Sequence, residues 1–424
     1  MKKRYLVLVF GILLLIGLSA SAYATDITLS GDIRVRGELR NNTTDFNSSN
    51  ADNYAAYDER IGLNIDAKVT PDIEGYIRLE SADSPTSPYG YIWGNSGNGA
   101  KGGYPYGDSR VGNVYFQQAW ILYKGSGLLG IPAGIKVGHQ LLKLGNGLFF
   151  DHTLLGDDAI VLFANPSKEL TTALVDAKFR ENSLIHPDDS DAYVGLFNYA
   201  IDKNSAVSAD LTYLNDQSAA PGGLHFWNLG LRGNGNVSGL GIKADVELQT
   251  GKARNAIPTG DLKYTGWAAL AGLDYKLEPV TLSLEYAYGS GDKPGTTDKN
   301  EGFVTSVDPQ QHFTYVYEYR TVNAAGTQFG GITNTQYVKL GAAADLAKDL
   351  SGNIGLYWLR ANRVLPGQSK SIGTEIDAKV TYKIEKNLVY WVEGGYLVAG
   401  GFFDTPTHSS DNAYAVRHGI QLTF

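Results

Sequence analysis

The chain closes on AVRHGIQLTF, residues 415–424, and the alternation in that stretch decides the fold. Val416, His418, Ile420, Leu422 and Phe424 share one face of an extended strand, while Arg417, Gly419, Gln421 and Thr423 share the other. A soluble domain usually leaves its terminus frayed and polar. This strand instead runs flush to an aromatic end, with two faces suited to different surroundings.

The same period recurs upstream in segments about ten residues long, the length a tilted strand needs to cross a bilayer. GDIRVRGELR (31–40) sets Ile33, Val35 and Leu39 against Asp32, Arg34, Arg36, Glu38 and Arg40. IEGYIRLES (73–81) sets Ile73, Ile77 and Leu79 against Glu74, Arg78 and Glu80. In ALVDAKFR (173–180) the apolar set is Ala173, Val175, Ala177 and Phe179, and the charged set is Asp176, Lys178 and Arg180. GIKADVELQ (241–249), TLSLEYAY (281–288) and TEIDAKVTYKI (374–384) repeat the theme.

The connections alternate too. Tight links fall at 70–72, 165–168, 202–205, 233–239, 278–279, 348–352 and 385–387. Long polar stretches separate them at 41–57, 84–112, 146–158, 181–190, 215–224, 250–263, 290–333, 362–370 and 402–412. Short links on one side and long ones on the other describe an all-β transmembrane antiparallel up-and-down barrel, with turns toward the periplasm and loops outside. The segments count to eighteen strands, with sixteen as the nearest even alternative. A soluble β-sandwich or propeller would carry loops of similar length at both ends. The barrel is one domain, residues 25–424, because dividing it would expose strand edges.

Ahead of it, MKKRYLVLVFGILLLIGLSASAYA (1–24) has Lys2, Lys3 and Arg4, an apolar run and an Ala22-Tyr23-Ala24 close. That is the pattern of a secretory signal peptide cleaved after Ala24, so the chain leaves the cytoplasm, and a barrel of this kind is expected in the outer membrane of a Gram-negative cell. The 27 Tyr and 6 Trp suit membrane boundaries. The chain has no Cys, which excludes disulfides, thiol catalysis and cysteine-held metals. Its net charge is −8, or −11 once the three basic residues of the signal leave, so nucleic acid is not its partner.

A charge facing lipid at mid-membrane costs about 2–4 kcal/mol, so the charged sets should face the lumen. The expected lining comprises Arg34, Arg36, Arg78, Lys136, Lys178, Arg180, Arg232, Lys243, Lys339, Lys379 and Arg417. Opposing them are Glu38, Glu80, Asp176, Asp210, Asp245, Glu247, Glu285, Asp345, Glu375, Asp377 and Glu393. These residues form either charged rings that select solutes or a salt-bridge lattice that satisfies the wall, and a lining of both signs is not a strong single-sign filter.

The longest connection, 290–333, gathers Phe313, Tyr315, Tyr317 and Tyr319 and is expected to be an ordered gate. The Tyr- and Gly-rich stretch within 84–112 reads as a surface loop. FFDHTLLGDD (149–158) and IHPDDSD (185–191) gather Asp and His, but neither has calcium-loop spacing, so both read as solvated loop charge and no metal site is assigned. GSGDKPG and GNGNVSG lack the helix a phosphate loop needs. With no Gly-x-Ser-x-Gly or His-Glu-x-x-His pattern, no enzyme and no cofactor are expected.

FQQAWILYKGSGLLGIPAGIKVGHQLLKLGNGLFFDH (116–152), EYAYGSGDK (285–293) and IGTEIDAKVTYKIEKNLVYWVEGGYLVAGGFF (372–403) resemble the strand pairs and Gly-Asp loop of the alginate-export family of outer-membrane porins. The resemblance implies a monomeric eighteen-strand barrel with a charged, loop-constricted pore. Where that family carries Arg in a G-R-Q element, this chain carries His139. The resulting expectation is a passive porin for small polar or anionic solutes, saccharides among them. The competing one is a sheath around a periplasmic partner such as a multihaem cytochrome or the end of an export complex. Phe424 resembles the terminal aromatic read by the barrel assembly machinery.

Overall fold

The structure, a computed structural model, describes residues 26–82, 91–93, 113–128, 130–181, 188–219, 222–308, 311–319 and 331–424. The signal segment and most of 84–112 lie outside them. Eighteen long strands follow one another: β1 (Asp26–Asn41), β2 (Tyr54–Thr70), β3 (Ile73–Ala82), β4 (Asn113–Leu128), β5 (Ile131–Lys143), β6 (Phe150–Ala164), β7 (Leu170–Arg180), β8 (Ser190–Asp202) and β9 (Ser205–Asp216) form the first half. The second half comprises β10 (Leu224–Val237), β11 (Leu240–Ile257), β12 (Trp267–Leu277), β13 (Val280–Gly289), β14 (Thr335–Ala347), β15 (Leu350–Ala361), β16 (Ser371–Glu385), β17 (Leu388–Ala399) and β18 (Ala413–Thr423). Each pairs antiparallel with its sequence neighbours, and β18 returns to β1 in a register from Tyr414↔Asn41 to Thr423↔Asp32. The sheet is therefore a closed barrel of eighteen strands, which leaves no open edge along the seam.

Burial runs opposite to that of a soluble protein. Ile121 and Leu174 are 65% and 64% exposed on the outer wall, while Glu247 and Glu375 on the inner wall are 0% exposed. That inversion is the mark of a wall with lipid outside and a polar, packed interior.

Most of the expected lining faces inward: Arg34, Arg36, Glu38, Arg78, Glu80, Lys136, Lys243, Asp245, Glu247, Glu285, Lys339, Glu375, Asp377, Lys379, Glu393 and Arg417 lie on the strand face opposite the outward apolar residues. Three residues do not. On β7 the outward row is Leu174, Asp176, Lys178 and Arg180, whereas Ala177 is buried and Phe179 packs inside against Phe150, with ring centroids 5.7 Å apart. Asp176, Lys178 and Arg180 thus sit outside, near the loop end of the strand, where the cost of a charge falls toward zero. Lys178 is also held by Asp191 at 2.7 Å and Asp189 at 3.0 Å.

The connections are tighter than the sequence suggests. The link expected over 233–239 shrinks to Ser238 and Gly239, both at positive φ (54° and 87°), because Gly233 to Val237 continue the ladder with β11. The expected loop 250–263 is a rising hairpin, with Ile257 paired to Gly260. β6 starts at Phe150, inside the expected loop 146–158. One further tight link, between the end of β4 at Leu128 and the start of β5 at Ile131, lies within GSGLLGIPAG (125–134) and is not among those expected.

The seam gives the terminal aromatic a structural task. The Phe424 N–H donates to Gly31 O at 3.0 Å, and the Gly31 N–H donates to Phe424 O at 2.8 Å. Its ring lies over Gly31, where a Cβ would come 2.8 Å from Phe424 Cζ. Deleting Phe424 is expected to lower the yield of folded, heat-modifiable barrel, while the barrels that do form keep wild-type conductance. Wild-type yield in a cell-based assembly assay would count against a role for this residue in closure.

Candidate functional site

The lumen is constricted by the chain's own connection between β13 and β14. Ser306–Val307 pairs with Phe150–Asp151 of β6, and Ser306 N–H donates to Phe149 O at 2.6 Å. Asp308 accepts from the backbone N–H groups of Leu154 (2.5 Å) and Leu155 (2.8 Å). His152 bridges the two segments, with Nδ1 2.9 Å from the Asp157 carboxylate and Nε2 3.0 Å from Ser306 Oγ. Asp151 and Asp157 are buried, so the FFDH…DD stretch is a latch inside the barrel rather than solvated loop charge. Its partners stand some 150 positions away in the chain, which hides them from a local reading.

From that latch the segment reaches the far arc of the barrel. The Val316 and Tyr317 N–H groups donate to the two oxygens of Glu375 on β16, at 2.6 and 2.9 Å. Tyr315 O–H donates to Glu393 on β17 at 2.9 Å, and Tyr319 O–H donates to Glu38 on β1 at 2.6 Å. β6 and β16 stand ten places apart in an eighteen-strand circuit, so the anchors lie on nearly opposite walls. Inside the segment, Glu318 accepts from the backbone of His312, Phe313, Thr314 and Gly331 at 2.6–3.0 Å. Burial pushes its carboxyl up from the ordinary range, and the N–H donors pull the other way.

Apolar packing seats this segment. Phe303, Val316, Tyr317 and Ile332 join Tyr337, Tyr357, Leu359, Ile372 and Leu397 of the wall in one buried cluster. A second inward loop, 144–149, reaches β11, where the Asn146 N–H and Nδ2 donate to Asp245 at 3.1 and 3.0 Å. Gly145, at φ +52°, lies against the Arg232 guanidinium, so a Cβ there would have to displace that side chain. Arg232 is only 6% exposed and joins three wholly buried carboxylates: Asp210, Glu247 at 2.7 Å and Asp245 at 3.4 Å.

The other lumen-facing arginines are also paired. Arg34 and Arg36 share Asp58 (3.0 and 2.8 Å), Arg78 holds Asp32 and Glu80 (2.8 and 3.0 Å), and Arg417 holds Glu393 (3.2 Å). Lys243 pairs with Glu285 at 2.5 Å and Lys379 with Glu393 at 3.0 Å. Lys339 makes no ion pair among the described residues; its ammonium stands 5.2 Å from the Tyr357 ring centre. It borders a cavity of about 360 Å³ beside the crossing segment, with Gln311, His312, Tyr315 and Asn353. His139 faces outward and bonds Asp158 at 2.9 Å, so it takes no part in the lumen.

Sequence alternation placed most charges of the wall, those of β7 excepted, but not the anchors of the crossing segment. A signal for it exists: the inward faces turn apolar at the loop ends of strands, as in WAAL (267–270) and AYAV (413–416), where alternation gives way to continuous apolar runs.

A closed eighteen-strand barrel constricted by its own chain defines a porin-type channel of the outer membrane. The chain belongs to the alginate-export family, whose model matches residues 185–417. The barrel is similar along its length to solved Pseudomonas porins. These include OccK8 (OprE) of Pseudomonas aeruginosa (13% identity, TM-score 0.57, 94% of this chain and 98% of that one) and a BenF-like porin from Pseudomonas fluorescens Pf-5 with the same four values. Pseudomonas aeruginosa OpdK, solved with vanillate, is 12% identical at TM-score 0.58, covering 93% of this chain and 98% of that one. No curated protein matches the chain.

Proposed function

We propose that the protein is a monomeric, passive channel for small polar or anionic solutes, saccharides among them, delivered by a cleaved signal peptide and assembled through its terminal strand. The observation that carries this reading is the crossing segment, anchored at Asp308 on one wall and at Glu375 on the other. It narrows the lumen to small solutes and occupies the space that the sheath reading assigns to a partner protein. Because nearly every arginine on the wall is neutralised, ion preference should be weak and set by the few unpaired cations. The residues proposed to line the path are the inward set described above, with Lys339 at its neck. Purified barrel in a planar bilayer is expected to give stepwise conductance with modest anion preference; a folded barrel that never conducts would overturn the reading. Lys339→Glu should shift the reversal potential in a salt gradient toward cations, with little change in conductance at high salt, where screening reaches within a few ångströms. An unmoved reversal potential would remove Lys339 from the path.

A further inference from the structure

We propose that the outer wall around Arg360 and Lys370 binds the phosphorylated headgroup of an outer-leaflet glycolipid. A groove of about 550 Å³ opens there across β13 to β16, with Tyr286 and Trp358 as its floor and Arg360, Ser369 and Lys370 at its lip. Tyr286 and Trp358 are each 43% exposed on the lipid-facing side, and Tyr286 O–H donates to Gln336 at 3.2 Å, which fixes the amide beside them. Aromatic rings of this kind mark the height of the membrane boundary. Arg360 lies two residues further toward the long-loop end of β15, at the level of lipid headgroups.

Charge decides what fits. At neighbouring loops three exposed lysines are matched: Lys252 with Asp261 at 2.9 Å, Lys263 with Asp298 at 3.7 Å and Lys293 with Glu301 at 3.8 Å. Arg360 has no hydrogen bond or ion pair among the described residues, and Lys370 donates only to the Asn362 carbonyl, at 3.0 Å. A guanidinium fork and an ammonium over an apolar wall complement a phosphate monoester. Below them Leu340, Ile354 and Ile376 are exposed on the same face, a surface for the acyl chains of that lipid. A soluble anion would use the cations but not this wall, so the combination selects a lipid.

The test titrates the full barrel in detergent with three probes: a bisphosphorylated, acylated glucosamine disaccharide, the same lipid stripped of phosphate, and inorganic phosphate. Binding is followed by native mass spectrometry. The phosphorylated lipid is expected to bind about tenfold more tightly than the stripped one, and Arg360→Gln with Lys370→Gln to erase that difference. Arg360→Lys, which keeps the charge but not the fork, should fall between. Equal binding of the two lipids to the native barrel would overturn the proposal without recourse to any variant. So would an unchanged preference in the folded double variant, or displacement of the lipid by millimolar phosphate, which would mark a soluble-anion site. Conductance is not expected to change, so this site and the channel reading fail separately.

Discussion

Glu375→Ala should turn the narrow channel into a wide one, raising single-channel conductance severalfold while the barrel remains closed. Glu375 is wholly buried on β16 and takes the Val316 and Tyr317 N–H groups on its two oxygens. Truncation orphans both donors, at about 1–3 kcal/mol each, in a place that water reaches only if the segment lifts. Other links to that arc, among them Tyr315 to Glu393, Tyr319 to Glu38 and the Tyr315 N–H to Asp377 at 3.3 Å, are single hydrogen bonds, and the packing of Val316 and Tyr317 on the wall depends on the segment staying seated. The wall ladder does not depend on the carboxylate, since β16 pairs with β15 and β17 through its backbone. Heat-modifiable mobility should therefore stay native while conductance rises and larger sugars permeate in liposome swelling. Native conductance from a folded Glu375→Ala barrel would show that the segment does not set the width of the path.

How far the sequence carried this reading follows from where each signal comes from. Closure, strand number and the inward side of β1, β11 and β16 are legible because alternation is a local property: Val35 beside Arg36, or Val246 beside Glu247, needs no knowledge of distant chain. The reversal on β7 was not legible, because Ala173 to Phe179 alternates equally well either way. What settles it is packing between Phe179 and Phe150, whose contact joins different strands. The constriction was half legible: the aromatics of 313–319 demanded burial, but the acceptors Glu375, Glu393 and Glu38 looked like ordinary pore lining. His152, Asp157 and Ser306 became a latch only once the chain had folded back across the barrel.

Arg232→Met should destabilise the barrel more than any other single change to its lining. The guanidinium is the shared cation of Asp210, Asp245 and Glu247, all with no exposed side-chain surface, and it also faces Gly145 of the inward loop. A methionine of similar length fills the space yet leaves three carboxylates together, and stripping the partner from a buried ion pair costs about 3–5 kcal/mol. Part of Glu247 is held independently by Asn228 Nδ2 at 2.7 Å, and Asp245 by Asn146, so the site should loosen rather than vanish. The midpoint of urea unfolding in lipid vesicles should fall clearly, and loop 144–149 should become sensitive to protease. Adding Asp245→Asn and Glu247→Gln to Arg232→Met should recover most of the loss, because the penalty lies in the surplus charge and not in the missing volume. If the triple variant is no more stable than the single one, the arginine acts through packing against Gly145. If Arg232→Met alone costs nothing, the three carboxylates are solvated by water that enters the lumen, and this wall is wetter than its burial implies.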